Sequence, residues 1–261
     1  MKYKGKYSLN ENLLKGRGMG LLNENTARQE QALDSIGVRD GRLEGSNGVA
    51  IEGIIGSTPG MGQMKVGGKA SITDVQFETG TGKVNISCKG EQTPGSASGN
   101  KNILVRSLGV DTLNKAAKAF SDMIKADGKN AGDRVSGYQA LVLIPQDKVG
   151  DLLKGSEAEG GPIDYFYKGP MTVNDIGNGQ VDGKLETPDE YARSSGAFYL
   201  YLRQQANNQV FLDDLTTKDR SGVSKVLGDS EGQANKYNGF RIDVKSESDA
   251  SGPLKQNVLT I

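Results

Sequence analysis

The chain has 261 residues, and its 32 basic side chains balance 32 acidic ones, so no whole-molecule field exists to gather polyanions or anionic lipid. His and Trp are absent, which removes the commonest general base and the commonest transition-metal ligand and leaves carboxylates, lysine, tyrosine and hydroxyls for any chemistry. The single cysteine, Cys88, rules out an internal disulfide, the opening Met1-Lys2-Tyr3-Lys4 has no signal-peptide apolar stretch, and no run reaches the ~18 apolar residues of a membrane span, so the expected setting is cytoplasmic with no membrane partner.

Hydrophobic content of 35% with 37 glycines predicts much turn and loop. The expected fold is α/β of the α+β kind: a central mixed β-sheet flanked by helices, glycine-rich with long loops. Charge divides the chain: residues 1–146 carry 19 basic and 14 acidic side chains, and residues 147–261 carry 13 and 18. The expected organisation is an α/β core domain over 1–146 with a basic N-terminal arm. An acidic extension over 147–261 either packs on the same core or forms a second subdomain.

Residues 1–18 hold Lys2, Lys4, Lys6, Lys15 and Arg17 against Glu11, and Ser8-x-x-Glu11 ahead of Leu13-Leu14 reads as a capping box opening a short helix that Gly16 and Gly18 end. A second helix is predicted from Asn25 to Gly37, with Ala32, Leu33 and Ile36 as its core stripe and Glu24 and Glu30 on or beside it. Residues 41–70 contain nine glycines around one short strand at Val49–Ile51. Gly56-x-x-x-Gly60-x-Gly62 has neither the dinucleotide nor the Walker spacing and reads as a flexible loop.

Residues 71–78 and 84–89 alternate in hydrophobicity and read as two strands of a hairpin turned at Gly80-Thr81-Gly82-Lys83, a sequence that lacks the remaining elements of a P-loop. A polar stretch over 90–102 precedes a helix capped by Asp111, which carries Leu113, Ala116, Ala117, Phe120 and Ile124 on one face and ends near Gly128. Tyr138–Ile144 is an apolar run stopped by Pro145, as in a strand covered on both faces. Thr187-Pro188-Asp189-Glu190 opens a helix predicted to run to about Gln205, though Gly196 weakens it. Phe240–Lys245 and the final Val258–Ile261 read as strands.

The segment Thr73-Asp74 … Ile86-Ser87-Cys88-Lys89, followed by the helix from Asp111 and the strand at 138–144, resembles the PD-(D/E)XK nuclease superfamily over roughly residues 24–145. The resemblance implies an acidic N-terminal helix, a hairpin bearing Asp and then Asp/Glu-x-Lys, a helix and a further strand. Ser87 departs from the pattern, standing where the family has an acid. Strand register decides whether such a site forms, because opposed and alternate residues share a face. A two-residue turn at Gly80-Thr81, of type II′, sets Thr79 opposite Gly82 and Asp74 opposite Ser87, so that Asp74, Ser87 and Lys89 share one face; a two-residue loop at Thr81-Gly82 sets Asp74 opposite Lys89 with the same grouping, and a three-residue loop centred on Thr81 breaks the group apart.

In the favourable register Asp74 would hold Mg²⁺, Lys89 would orient or help deprotonate a water, and Glu30 or Glu24 could add a carboxylate; either Glu78 or Glu91 substitutes for the acid that Ser87 lacks, or there is no active metal site. The plainer reading of Asp74 and Lys89 is a cross-strand ion pair on a wet face. Asp243-Val244-Lys245 matches Asp-x-Lys on another strand, without a helix and strand after it. Cys88 beside Lys89 lacks a histidine partner and reads as a small buried residue. Tyr165, Phe166, Tyr167, Phe198, Tyr199 and Tyr201 read as core or interface rather than base-stacking platforms.

Two functions follow as expectations. One is a Mg²⁺-dependent endonuclease acting on DNA, with Asp74, Ser87 and Lys89 catalytic, Asp74, Glu78 and Glu30 at the metal, and Lys4, Lys6, Arg17, Lys101 and Arg106, with Lys115 and Lys118, on phosphates. The other is a non-enzymatic assembly or virion structural protein that forms homo-oligomers through its basic arm and glycine-rich loops.

Overall fold

A computed structural model describes residues 30, 33, 41–66, 69–90, 101–129, 137–170, 173–204, 236–237, 240–247 and 258–261. In chain order, β1 (Arg42–Glu44), β2 (Ala50–Glu52), β3 (Ile54–Pro59), a 3-10 turn at Met61–Gln63 and the ribbon β4 (Lys65–Val66) and β5 (Lys69–Ala70) lead to the hairpin β6 (Val75–Thr79) and β7 (Gly82–Gly90). Helices α1 (Lys101–Leu108) and α2 (Val110–Ala126), strand β8 (Gln139–Leu143), helix α3 (Gln146–Lys154) and strand β9 (Tyr165–Gly169) follow. The chain continues through β10 (Asp175–Gly177), β11 (Gln180–Val181), β12 (Lys184–Glu186), α4 (Pro188–Ser194), β13 (Phe198–Gln204), β14 (Lys236–Tyr237), β15 (Phe240–Ser246) and β16 (Val258–Leu259). Glu30 and Leu33 lie on a helix ahead of β1.

The fold is α+β, but its strands form three larger sheets rather than one central one. Their orders are β10-β11-β1-β2, β12-β9-β7-β6-β3 and β14-β15-β13-β8-β16, each with one parallel pair among antiparallel neighbours. Strands from either side of residue 146 pair in every one of them. The second sheet is a partition. Val75, Phe77, Ile86, Cys88 and Tyr167 face one apolar core, which also takes in Leu33, Leu43 and Leu185. Phe166 turns to the other face and joins the larger core formed by the helices and the third sheet. Strand periodicity alone produces this division, because neighbouring residues point to opposite sides.

Helix α2 forms as its stripe predicts, with Leu113, Ala116, Ala117, Phe120 and Ile124 buried. Its N-cap is Gly109, however, and Asp111 sits in its first turn, where a carboxylate complements the helix dipole. Helix α1 occupies part of what reads as a polar connection, and Ile103 and Leu104 bury themselves in the large core. Thr187 and Glu190 make the predicted capping box with Pro188 in the first turn, yet α4 stops at Ser194 and β13 begins at Phe198. Gly196, at φ 78°, breaks the helix. The alternation of Phe198, Leu200 and Leu202, all buried, then favours a strand. Strand β8 is stopped before Pro145 as expected but lies in the third sheet, between β13 and β16. The strand parallel to β7 is β9. Among the described residues no helix is long and apolar enough to cross a membrane.

Phe120 is fully buried where α2 meets the third sheet. Phe120→Ala is therefore expected to lower unfolding stability by about 3–5 kcal/mol, read as a shift of the urea midpoint. A loss under about 1 kcal/mol would place α2 outside the cooperative core.

Candidate active site

The hairpin register is the one that groups the candidate residues. Thr79 pairs with Gly82 and Val75 with Ile86. One step further, the Asp74 amide donates to the Ile86 carbonyl at 2.9 Å, setting Asp74 beside Ser87. The turn closes differently from the predicted type II′, because neither Gly80 nor Thr81 has a positive φ. Instead the Thr79 hydroxyl donates to the Gly82 carbonyl at 2.9 Å and accepts from the Thr81 amide at 3.3 Å.

Asp74 sits at the entrance to β6, where its carboxylate folds across onto β7. Its Oδ2 accepts the Cys88 amide at 2.7 Å and the Ser87 hydroxyl at 3.0 Å. Its other side faces the 3-10 turn: the Met61 amide donates to the Asp74 carbonyl at 3.0 Å, and Gly62 lies so close that a methyl group there would stand 2.8 Å from Oδ1. Gly60, at φ 74°, begins that turn. The stretch read as a flexible loop is instead a strand, Ile54–Pro59, and a 3-10 turn, and at Gly62 the missing side chain lets the backbone approach Asp74 closely.

Glu30 is 5% exposed and lies beside Asp74. Burial and the Asp74 charge push its carboxyl up to about 8, against the weaker pull of the Gly60 amide. Burial also raises Asp74 above the usual carboxylate range, offset by the Lys89 ammonium, the Cys88 amide and the Ser87 hydroxyl. Buried Cys88 is driven the other way from a nucleophile: desolvation, and then Asp74 and Glu30, raise its thiol well above the ordinary value.

Asp74, Ser87 and Lys89 open with Ser71 onto a cavity of about 240 Å³. The Lys89 ammonium stands 6.0 Å from the ring centre of Phe166, which is stacked on Tyr191 at 4.4 Å. Phe166 follows from pairing, since Ser87 is matched with Phe166 across the parallel β7–β9 ladder. Its role is hidden in the sequence because Phe166 lies 79 residues beyond Ser87 and the run Tyr165-Phe166-Tyr167 reads as plain core.

Other expected members are elsewhere. Glu78 shares the Asp74 face but lies exposed near the turn, opposite Lys83, roughly 13 Å along the strand, so it is not a ligand at this site. Arg106 does not project as a phosphate contact: it holds Glu159 at 2.7 Å and Ser156 at 2.9 Å, tying α1 to the turn after α3. Lys118 pairs with Asp122 at 2.5 Å on α2. Lys101 opens α1, and Lys115 lies farther along on α2. Lys4, Lys6, Arg17, Glu24 and Glu91 lie outside the described residues. At the second Asp-x-Lys, Asp243 faces Arg203 at 3.4 Å and Lys245 lies 4.5 Å over the Tyr201 ring, so the pair is spent on the third sheet.

Among the described residues no three His, Cys, Asp or Glu side chains gather as a metal cage. Glu30 and Asp74 lie near enough for the Asp74 charge to raise the Glu30 carboxyl, and no described group donates a hydrogen bond to Asp74 Oδ1. Magnesium keeps several waters and needs only one or two protein carboxylates besides a substrate phosphate, so this donor set fits it. No protein-family model matches the chain, and neither a curated protein nor a solved structure matches it.

Two outcomes test this geometry. Gly62→Ala should turn the Asp74 carboxylate away from β7, lowering stability by about 1–3 kcal/mol and speeding hydrogen exchange at the Cys88 amide; unchanged exchange would show that the contact does not form. Glu30 binds its proton more tightly folded than unfolded. Its stabilising contribution is thus complete below its ordinary value of 4.5 and is lost as pH rises toward about 8. Glu30→Gln should flatten the fall in melting temperature across that window, and an unaltered slope would contradict the assignment.

Proposed function

We propose that this chain is a metal-dependent nuclease of the PD-(D/E)XK type, hydrolysing DNA phosphodiesters. The observation that carries the reading is the convergence of an acid and an amine, Asp74 and Lys89, on one face of a hairpin at a cavity, with the buried Glu30 carboxyl within reach of the Asp74 charge. Clustered groups with shifted acidities in a concave site are where chemistry concentrates. The topology supports the same reading: β3, β6 and β7 form an antiparallel meander, and β9 joins β7 in parallel after a connection containing helices.

Asp74 and Glu30 are the residues that would hold the ion, which when bound supplies Lewis-acid polarisation of a phosphodiester and a more acidic water. Ser87 takes a different part from the acid it replaces. Its hydroxyl and the Cys88 amide both bind Asp74 Oδ2, so they fix the carboxylate and leave Oδ1 directed toward the Gly62 turn. Preorganisation of this kind removes the cost of orienting the ligand during reaction. Lys89 brings positive charge to the cavity, where it can bind the scissile phosphate and orient a water through an ammonium proton. Glu30, held mostly protonated near neutral pH, would have to release its proton to hold a cation.

Purified protein incubated with single-stranded circular DNA or supercoiled plasmid and Mg²⁺ or Mn²⁺ should cut at least one of them, and chelation should stop the reaction. Asp74→Asn and Lys89→Met should each slow cleavage by about 10²–10⁴-fold while remaining folded, and Glu78→Gln should cut at the wild-type rate. Cleavage that survives Asp74→Asn would overturn the proposal.

A further inference from the structure

We infer that the cavity behind Asp74 and Lys89 receives one unpaired nucleobase, so that the enzyme acts on single-stranded or locally unpaired nucleic acid rather than on continuous duplex. The inference rests on the nuclease reading and narrows its substrate. The cavity's lining is of two kinds: Ser71, Asp74, Ser87 and Lys89 are polar, and Ile72, Ile103, Leu152, Leu153, Ile163 and Phe166 are apolar. A phosphodiester within a duplex keeps its bases stacked inward and offers a protein only backbone and groove edges. It would leave an apolar chamber next to the reacting phosphate unfilled. A nucleotide taken out of the stack places phosphate and base on the same side, the first at Lys89 and the second against apolar walls and an aromatic ring.

The dimensions agree, since about 240 Å³ holds one planar base rather than a stacked pair. Phe166 borders the cavity with 2% of its surface exposed and is held by Tyr191, stacked on it at 4.4 Å with 15° between the rings, so it supplies a fixed wall. Two of the cations expected on phosphates, Arg106 and Lys118, are paired with Glu159 and Asp122. Where affinity comes mainly from enclosing a base, its salt dependence should be shallow, because few phosphates are neutralised.

The full chain would be tested with three oligonucleotides of one sequence: a single strand, its perfect duplex and a duplex with a one-nucleotide bulge, each with 2-aminopurine at one position. Cleavage is followed in Mn²⁺, and binding by 2-aminopurine fluorescence in EDTA, where no chemistry occurs. The single strand and the bulge should be bound and cut at least about 10-fold better than the duplex. Leu153→Phe, or Ile163→Phe from a different segment if the first does not fold, should abolish that preference by filling the chamber. Equal binding of all three substrates, or a preference unchanged in a folded cavity-filling variant, overturns the inference. Selective binding without cleavage upholds it and defeats the nuclease reading, and cleavage without selectivity does the reverse.

Discussion

A carboxylate reaching across a strand pair organises this molecule's candidate site. Asp74 stands one residue before β6, and its Oδ2 takes the Cys88 amide and the Ser87 hydroxyl from β7. That contact requires Val75 to pair with Ile86. A slip of one residue would send Asp74, Ser87 and Lys89 to opposite sides and invert the apolar set as well. Val75, Phe77 and Ile86 are fully buried, so the core enforces the register that the site needs. Packing on one face of the sheet thus positions chemistry on the other.

The partition formed by the second sheet explains why the site has the character it does. One face belongs to the smaller core and carries Cys88 and Tyr167; the other carries Ser87, Lys89 and Phe166 toward the helices. The carboxylates lie at the border, where desolvation is strong enough to raise both and a single lysine offsets part of the cost at Asp74. A fully wet hairpin face would leave the same residues as a weak surface ion pair.

Local pattern made some of this readable from the sequence and long-range pairing concealed the rest. The hairpin, the apolar face of α2, the capping box at Thr187 and strand β15 follow from periodicity and side-chain chemistry over a few residues. Asp74, Ser87 and Lys89 were accessible for the same reason, because register follows from turn length. The division into three sheets was not, since β7–β9 and β1–β11 pairs join residues separated by dozens of positions and no local signal specifies them. Gly62 was hidden too: a glycine that admits a carboxylate is indistinguishable in sequence from one that loosens a loop. Glu78 misled because face parity holds along a strand while distance does not.

The parallel partnership of β7 with β9 also bears on how the protein matures. Strand β9 leaves the ribosome long after the hairpin, and with it come Phe166 and Ile163, two walls of the chamber. Contacts of such sequence separation carry a loop-closure penalty and form late. A nascent chain that has emitted the acid and the lysine therefore still lacks the enclosure around them. The cavity beside Asp74 and Lys89 is therefore completed only after residues 163–166 have been made and β9 has docked on β7.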